Sequence, residues 1–116
     1  MLAIRYADVL LMNAEANNEL GTVPTATTAL NQVRARAGLP VTTATNRAGL
    51  RTAIWAERRL ELAMENDRYF DVIRQGRAVL LFGMKGWTAN KNEVWPIPNN
   101  EILLSGGKLT QNQGYN

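Results

Sequence analysis

The residues best suited to acid–base chemistry are two glutamates four positions apart, Glu57 and Glu61. This spacing would place both carboxylates on one face of a helix, where a pair could serve as general acid and general base. Arginines lie beside them, however, and a helix with glutamate every four residues next to arginine is typical of a structural ion-pair surface. We therefore predict that the protein is not an enzyme. We expect a structural ion-pair network formed by Glu57, Arg58, Glu61, Arg68, Asp71 and Arg74.

Cysteine and histidine are both absent from the 116 residues. Their absence excludes thiol nucleophiles, disulfides, histidine general bases and zinc sites built from these ligands. We therefore predict neither a metal site nor a cofactor. The net charge is +3, but lysines and arginines are interleaved with acidic residues along the chain. Because a nucleic-acid surface needs its basic residues clustered on one face, we expect no nucleic-acid partner.

Three tryptophans are candidates for sugar binding, since an aromatic ring can stack on the apolar face of a sugar ring. Trp55 lies in a predicted helix and is interpreted as a core residue. Trp95 directly precedes a Pro-Ile-Pro segment and is interpreted as packing. Trp87 lies in an irregular segment among asparagines and lysines, so we predict Trp87 and Asn90 as glycan-binding residues. A tryptophan at such a position more often simply fills a groove, and the sequence leaves both interpretations open.

Two helices are predicted within residues 1–40. The first runs from Leu2 to Leu20 and stops at Gly21, and the second runs from about Pro24 to Ala37 and ends at Gly38. Two antiparallel helices joined by a glycine turn form a tetratricopeptide-like unit. The apolar stripe of the first helix is wide, which predicts packing on more than one side. It comprises Ala3, Ala7, Leu10, Leu11 and Ala14, widened by Tyr6, Val9 and Met12.

A second, ionic helix pair is predicted within residues 46–82. Its first helix runs from Arg47 to Asn66, with Thr45 or Asn46 as N-cap. Another helix then begins at Asp67. In the shorter interpretation it ends at residue 76, and in the longer one it extends to residue 82.

An irregular tail is predicted over residues 83–116, where glycine, asparagine and proline are frequent. The segment Trp95-Pro96-Ile97-Pro98 must be largely extended because each proline restricts its own backbone and that of the preceding residue. Turns are predicted at residues 99–101 and 105–107. No segment has the pattern of a strand, so the predicted fold class is all-α, with a tetratricopeptide-like helix hairpin, a further helix pair and a long irregular tail.

Four motifs, in this order, resemble the C-terminal signature of the SusD/RagB family. They are RYADVLLMNAEA at residues 5–16, LNQVRARAGL at 30–39, ERRLELAMENDRYFDVIR at 57–74, and WPIP at 95–98 followed by LTQNQGY at 109–115. The resemblance runs through almost the whole chain. It covers only the last part of a family member, which is several times longer.

The resemblance implies a surface lipoprotein of the outer membrane of Bacteroidetes. Such a protein captures an oligosaccharide or polysaccharide for uptake and caps a SusC-like TonB-dependent transporter. In this family the glycan site is built mostly from loops outside the matched region, so no ligand residue is transferred to this chain. The matched charged residues are expected to maintain the fold. The chain departs from the family pattern at Asn66-Asp67, at Trp95 and at Gln113.

The residues Met1 to Arg5 do not form a signal peptide, and the longest apolar run is too short to span a bilayer. By itself the chain is therefore expected to be soluble, with membrane attachment only through a lipid anchor that lies outside it. The alternative function is that of a stand-alone helical repeat module. Such a module would bind a protein or peptide in a groove between its first two helices.

Overall fold

The computed structural model describes residues 4–115, which form helices, turns and irregular segments without any strand. A 3-10 turn spans Gly83–Lys85. The predicted all-α class is confirmed. The helices in the described part of the chain are α1 (Tyr6–Leu20), α2 (Val23–Arg36), α3 (Arg47–Glu61), α4 (Arg68–Arg74), α5 (Ala78–Phe82) and α6 (Asn99–Leu104).

The chain divides into two units, Met1–Arg68 and Tyr69–Asn116. The division of the chain into segments 1–40, 46–82 and 83–116 is drawn from the sequence pattern and stays a prediction. The division into units falls inside the segment predicted as an ionic helix pair.

The first unit is a helix hairpin, α1 and α2, with α3 packed against it. Small side chains at the contact allow the helices to approach closely, and larger aliphatic side chains fill the space between all three. Its buried core consists of Ala7, Leu11, Ala14, Ala26, Ala29, Leu30, Val33, Leu50 and Ile54.

Helix α1 differs from its prediction at its start and in its buried face. Arg5 has extended backbone angles, φ −89° and ψ 151°, so the helix begins at Tyr6 rather than at Leu2. Ala3, predicted in the apolar stripe, lies outside the described residues. Helix α1 packs against both α2 and α3, so the predicted packing on more than one side is confirmed. The residues that widen the predicted stripe do not take part in it, because Tyr6 is 74% exposed and Val9 and Met12 are exposed as well.

Helix ends in the first unit follow local capping rules. Gly21 ends α1 in the left-handed conformation (φ 87°), where its N–H can still donate back into the last turn. Gly38 (φ 70°) ends α2, and the following N–H of Leu39 donates to the carbonyl of Arg34 at 2.9 Å. Asn46 caps α3 as predicted, its side chain accepting from the N–H of Gly49 at 2.8 Å.

Helix α3 ends at Glu61, five residues before the predicted end at Asn66. The turn that follows places Met64 and Asn66 at positive φ, 70° and 67°. A terminal carbonyl of a helix lacks an intrahelical donor. Here Arg5 donates to the carbonyl oxygen of Glu61 at 2.8 Å, so a side chain from a distant part of the sequence supports the early end.

The second unit contains three short helices and a long irregular segment. Gly76, at φ 67°, separates α4 from α5, so the longer predicted helix that reaches Phe82 is wrong. Helix α6 was missed, because residues 99–101 were predicted as an isolated turn. Pro98 precedes it, and the Pro98 carbonyl accepts the N–H groups of Glu101 and Ile102 at 2.9 and 3.3 Å. These bonds begin a helix that the next apolar residues continue.

Candidate functional site

Two residues of the predicted ion-pair network are buried in the first unit and bonded to other helices. Glu57 on α3 is 4% exposed, and its carboxylate accepts from Arg34 on α2 at 2.6 Å. Its neighbour Arg58 is 6% exposed and donates to Asp8 on α1 at 2.7 Å. Consecutive residues of α3 therefore bind opposite members of the helix hairpin.

Glu61 and Glu65 form a second group of ion pairs with arginines from α2 and from the residue before α1. Glu61 accepts from Arg5 at 2.8 Å and from Arg36 at 2.6 Å, through different carboxylate oxygens. Arg5 also bonds Glu65 at 2.6 Å. The hydrogen bonds that Arg5 donates to Glu65 and to Glu61 raise the pKa of Arg5 above its usual value. Both carboxylates of the Glu57 and Glu61 pair are thus engaged by arginine, an arrangement that suits a structural role.

The remaining members of the predicted network lie at or after the start of α4. In the second unit Arg74 pairs with the buried Asp71 at 2.7 Å, one helical turn away. Arg68 is the first residue of α4. The structural role of all six residues stays a prediction.

A further ion-pair group was not predicted from the sequence. Glu19, near the end of α1, accepts from Arg47 at 2.7 Å and also pairs with Arg51, both on α3. Hydrogen bonds from Arg51 and then Arg47 lower the pKa of Glu19 to about 2. No local pattern joins residues so far apart in sequence, so spacing rules could not have identified this group.

The second unit contains an open cavity of about 320 Å³. This volume lies at the lower end of the range for small-molecule sites. Aromatic rings make up much of its wall. The lining residues are Tyr69, Phe82, Lys85, Gly86, Trp87, Asn92, Val94, Trp95 and Tyr115.

Three of these rings pack on one another and form one wall of the cavity. Tyr69 stacks on Phe82 with centroids 6.4 Å apart and meets Trp87 edge-on at 5.8 Å. The indole N–H of Trp87 is buried without a hydrogen-bond partner within the described residues. Trp87 therefore contributes its ring to the cavity and not its N–H.

The two residues predicted to bind glycan are placed differently by the structure. Trp87 lines the cavity, whereas Asn90 is exposed at φ 61° and is not one of the lining residues. Asn92 contributes the asparagine of the cavity instead. Glycan binding by Trp87 and Asn90 remains a prediction, and the cavity favours Trp87.

Trp95 is 76% exposed and lines the same cavity, so its interpretation as a packing residue is wrong. Its backbone is held in place by the end of the chain. The Asn112 side chain donates to the Trp95 carbonyl at 2.7 Å, and the Tyr115 hydroxyl donates to the Val94 carbonyl at 3.0 Å. With the backbone fixed on both sides, the ring can remain exposed. Trp55, predicted as core, is half-buried, and its indole N–H donates to Glu15 at 2.9 Å.

The first unit has a separate groove between α1 and α2, with a volume of about 620 Å³. Its wall combines apolar and neutral polar side chains, with no charged residue among them. They are Tyr6, Val9, Leu10, Asn13, Pro24, Thr25, Thr28, Ala29 and Gln32.

Among residues 4–115, no group of three or more acidic residues is arranged to hold a metal ion. No helix in this part of the chain has the length and apolar character needed to cross a membrane.

The helix hairpin and the aromatic cavity define a class: an all-α, tetratricopeptide-like protein whose second unit has an open cavity lined by aromatic rings. The chain belongs to the SusD family, whose sequence model, SusD_RagB, matches residues 1–87. The family resemblance inferred from four sequence motifs is thereby confirmed.

Curated relatives match nearly the whole chain. Two SusD-like proteins of Formosa agariphila are 34% and 36% identical to it over 99% and 98% of its residues. The chain spans about a quarter of their length, since it covers 24% of each.

Two solved structures have the same fold. A SusD-like protein of Bacteroides fragilis superposes with a TM-score of 0.84 at 31% identity, over 97% of this chain and 25% of its own. A laminarin-binding SusD-like protein also gives a TM-score of 0.84, at 43% identity, over 99% of this chain and 23% of its own.

Proposed function

We propose that this chain is part of a SusD-like protein that binds oligosaccharides at the cell surface. Family membership supports this proposal, as does the similarity to a solved laminarin-binding SusD-like protein. The observation that carries it to this chain is the aromatic cavity, whose exposed ring, Trp95, offers a stacking surface for a sugar. A binding role, without catalysis, also agrees with carboxylates that are engaged by arginine.

The wider role that we propose is glycan uptake. The protein would sit at the outer-membrane surface, attached by a lipid anchor, and deliver its ligand to a SusC-like TonB-dependent transporter. Sequencing the DNA beside this reading frame tests the pairing. A neighbouring gene for a large TonB-dependent barrel is the expected result, and a locus without one would contradict the uptake role while leaving sugar binding open to separate test.

Sugar binding is tested by electrophoresis through native gels that contain laminarin or one of a panel of other neutral and acidic polysaccharides. We expect at least one polysaccharide to retard the protein, and Trp95→Ala to reduce the retardation. The matched control is Tyr6→Ala, which removes an aromatic side chain of similar exposure from the first unit. Migration unchanged by every polysaccharide would overturn the proposal.

A second candidate function is peptide binding, which the groove between α1 and α2 favours. Its neutral wall of apolar, hydroxyl and amide side chains suits a peptide without strong charge. In a peptide-library selection this function predicts binders that Tyr6→Ala loses and Trp95→Ala retains. If a polysaccharide retards the wild type and Tyr6→Ala but not Trp95→Ala, binding is assigned instead to the aromatic cavity.

A further inference from the structure

The polar groups of the aromatic cavity differ in whether they are free to meet a ligand. The Tyr69 hydroxyl donates to the carbonyl of Asn92 at 2.6 Å, and the Tyr115 hydroxyl donates to the carbonyl of Val94 at 3.0 Å. The Asn92 side-chain oxygen accepts from the N–H of Thr88 at 2.6 Å. Both phenol protons and the amide oxygen are therefore engaged within the second unit.

The accessible side-chain groups of the lining that have no partner are hydrogen-bond donors, although the two phenol oxygens can still accept. These donors are the ammonium of Lys85, the amide nitrogen of Asn92 and the indole N–H of the exposed Trp95. Among residues 4–115, none of these three groups has a hydrogen-bond or ion-pair partner.

The charge at the cavity is positive. Lys85 is the charged lining residue, and no aspartate or glutamate of the described chain lines the cavity. A second ammonium, that of Lys91, lies 5.0 Å from the ring centroid of Tyr115. Glu93 is exposed and close in sequence but is not a lining residue. A cavity with free donors and net positive charge favours a ligand rich in acceptors and carrying negative charge.

We propose that the aromatic cavity selects anionic sugars, with Lys85 binding the carboxylate of a uronic acid or the sulfate of a sulfated sugar. The exposed face of Trp95 would stack on the ring, and the Asn92 amide would donate to a ring hydroxyl or acidic oxygen. This inference rests on the proposed sugar-binding function and adds to it the class of sugar. A neutral sugar could stack on the same ring but would gain nothing from Lys85.

The test is tryptophan fluorescence titration of the whole chain with three probes. They are a galacturonic acid trisaccharide, a sulfated carrageenan oligosaccharide and the neutral laminaritriose. We expect tighter binding of at least one anionic probe than of laminaritriose, and a preference that falls as salt is raised. Whichever anionic probe binds better identifies carboxylate or sulfate as the preferred group.

The variant Lys85→Gln removes the charge and keeps a polar side chain. It should weaken binding of the anionic probe by roughly three- to fivefold, the size of one solvent-exposed ion pair, and leave laminaritriose unchanged. Lys85→Arg should retain the preference. The control is Lys108→Gln, which removes another exposed lysine outside the cavity.

Two results would overturn the inference, and they differ in what they leave standing. Equal affinity for anionic and neutral probes, unaffected by Lys85→Gln, would remove the charge selection and leave sugar binding intact. Failure of every probe to bind would overturn both the inference and the proposed cavity function.

Discussion

Arg58 on α3 donates to Asp8 on α1 at 2.7 Å, although the two residues are 50 positions apart. The Arg58 side chain is 6% exposed and that of Asp8 is 19% exposed, so the pair is largely removed from water. A charge left alone in such a place cannot recover its hydration. The cost of leaving one of these charges unpaired, more than the attraction between them, therefore holds α3 against the helix hairpin.

Replacing Arg58 should accordingly destabilise the first unit. Arg58→Met keeps the apolar stem and leaves Asp8 without this partner, and we expect a loss of roughly 3–5 kcal/mol in the free energy of unfolding. Urea denaturation followed by circular dichroism measures it. Arg59→Met is the control, because the neighbouring Arg59 is exposed and should change stability by about 0.5 kcal/mol or less. Equal losses in the free energy of unfolding for the two variants would show that the Arg58–Asp8 pair does not stabilise the first unit.

The pairing of Glu19 predicts a dependence of stability on acid. Folding lowers the pKa of Glu19 from 4.5 to about 2, so the unfolded chain takes up this proton first as pH falls. The stabilisation is therefore present above pH 4.5 and is lost progressively down to pH 2. The difference in urea midpoint between wild type and Glu19→Gln should shrink over this interval. A difference in urea midpoint that is as large at pH 2 as at pH 6 would contradict the assigned ion pairs of Glu19.

The core of the helix hairpin is tested by a matched pair of substitutions on α1. Leu11 is fully buried, whereas Leu20 on the same helix is 80% exposed. Leu11→Ala should lower the free energy of unfolding by roughly 2–5 kcal/mol, because it removes buried methyl groups and leaves a cavity. Leu20→Ala should cost about 0.5 kcal/mol or less. Similar denaturation midpoints for the two variants would contradict the buried position of Leu11.

The segment that carries Trp95 depends on Gln111. The Gln111 side chain accepts from the Ile97 N–H and donates to the Ile97 carbonyl, each at 2.8 Å. Ile97 provides the one backbone donor of this Pro-Ile-Pro stretch, since proline has no N–H. Gln111→Ala should speed hydrogen exchange at the Ile97 amide by about tenfold or more. The exposed Gln113, changed to Ala, should leave that amide unaffected, and equal rates in both variants would contradict the assigned bond.

Local sequence rules predicted the helices well where the signals are local. The periodic apolar residues and the glycines at 21 and 38 placed α1 and α2 within a few residues, and Asn46 marked the start of α3. One error came where a distant residue intervened, since Arg5 bonds the carbonyl of Glu61, where α3 ends early. The other was local, since the Pro98 carbonyl begins a helix directly after it where a turn was expected.

The sequence by itself determined the all-α class, the helix hairpin and the family, because helical periodicity, capping residues and ordered motifs are properties of neighbouring positions. Only the tertiary structure decided which arginine meets which glutamate, as with Arg34 and Glu57, and which rings share a cavity, as with Tyr69 and Tyr115. These partners are separated by 23 positions or more. No repeat period links such distances, so only the packing of the folded chain brings them together.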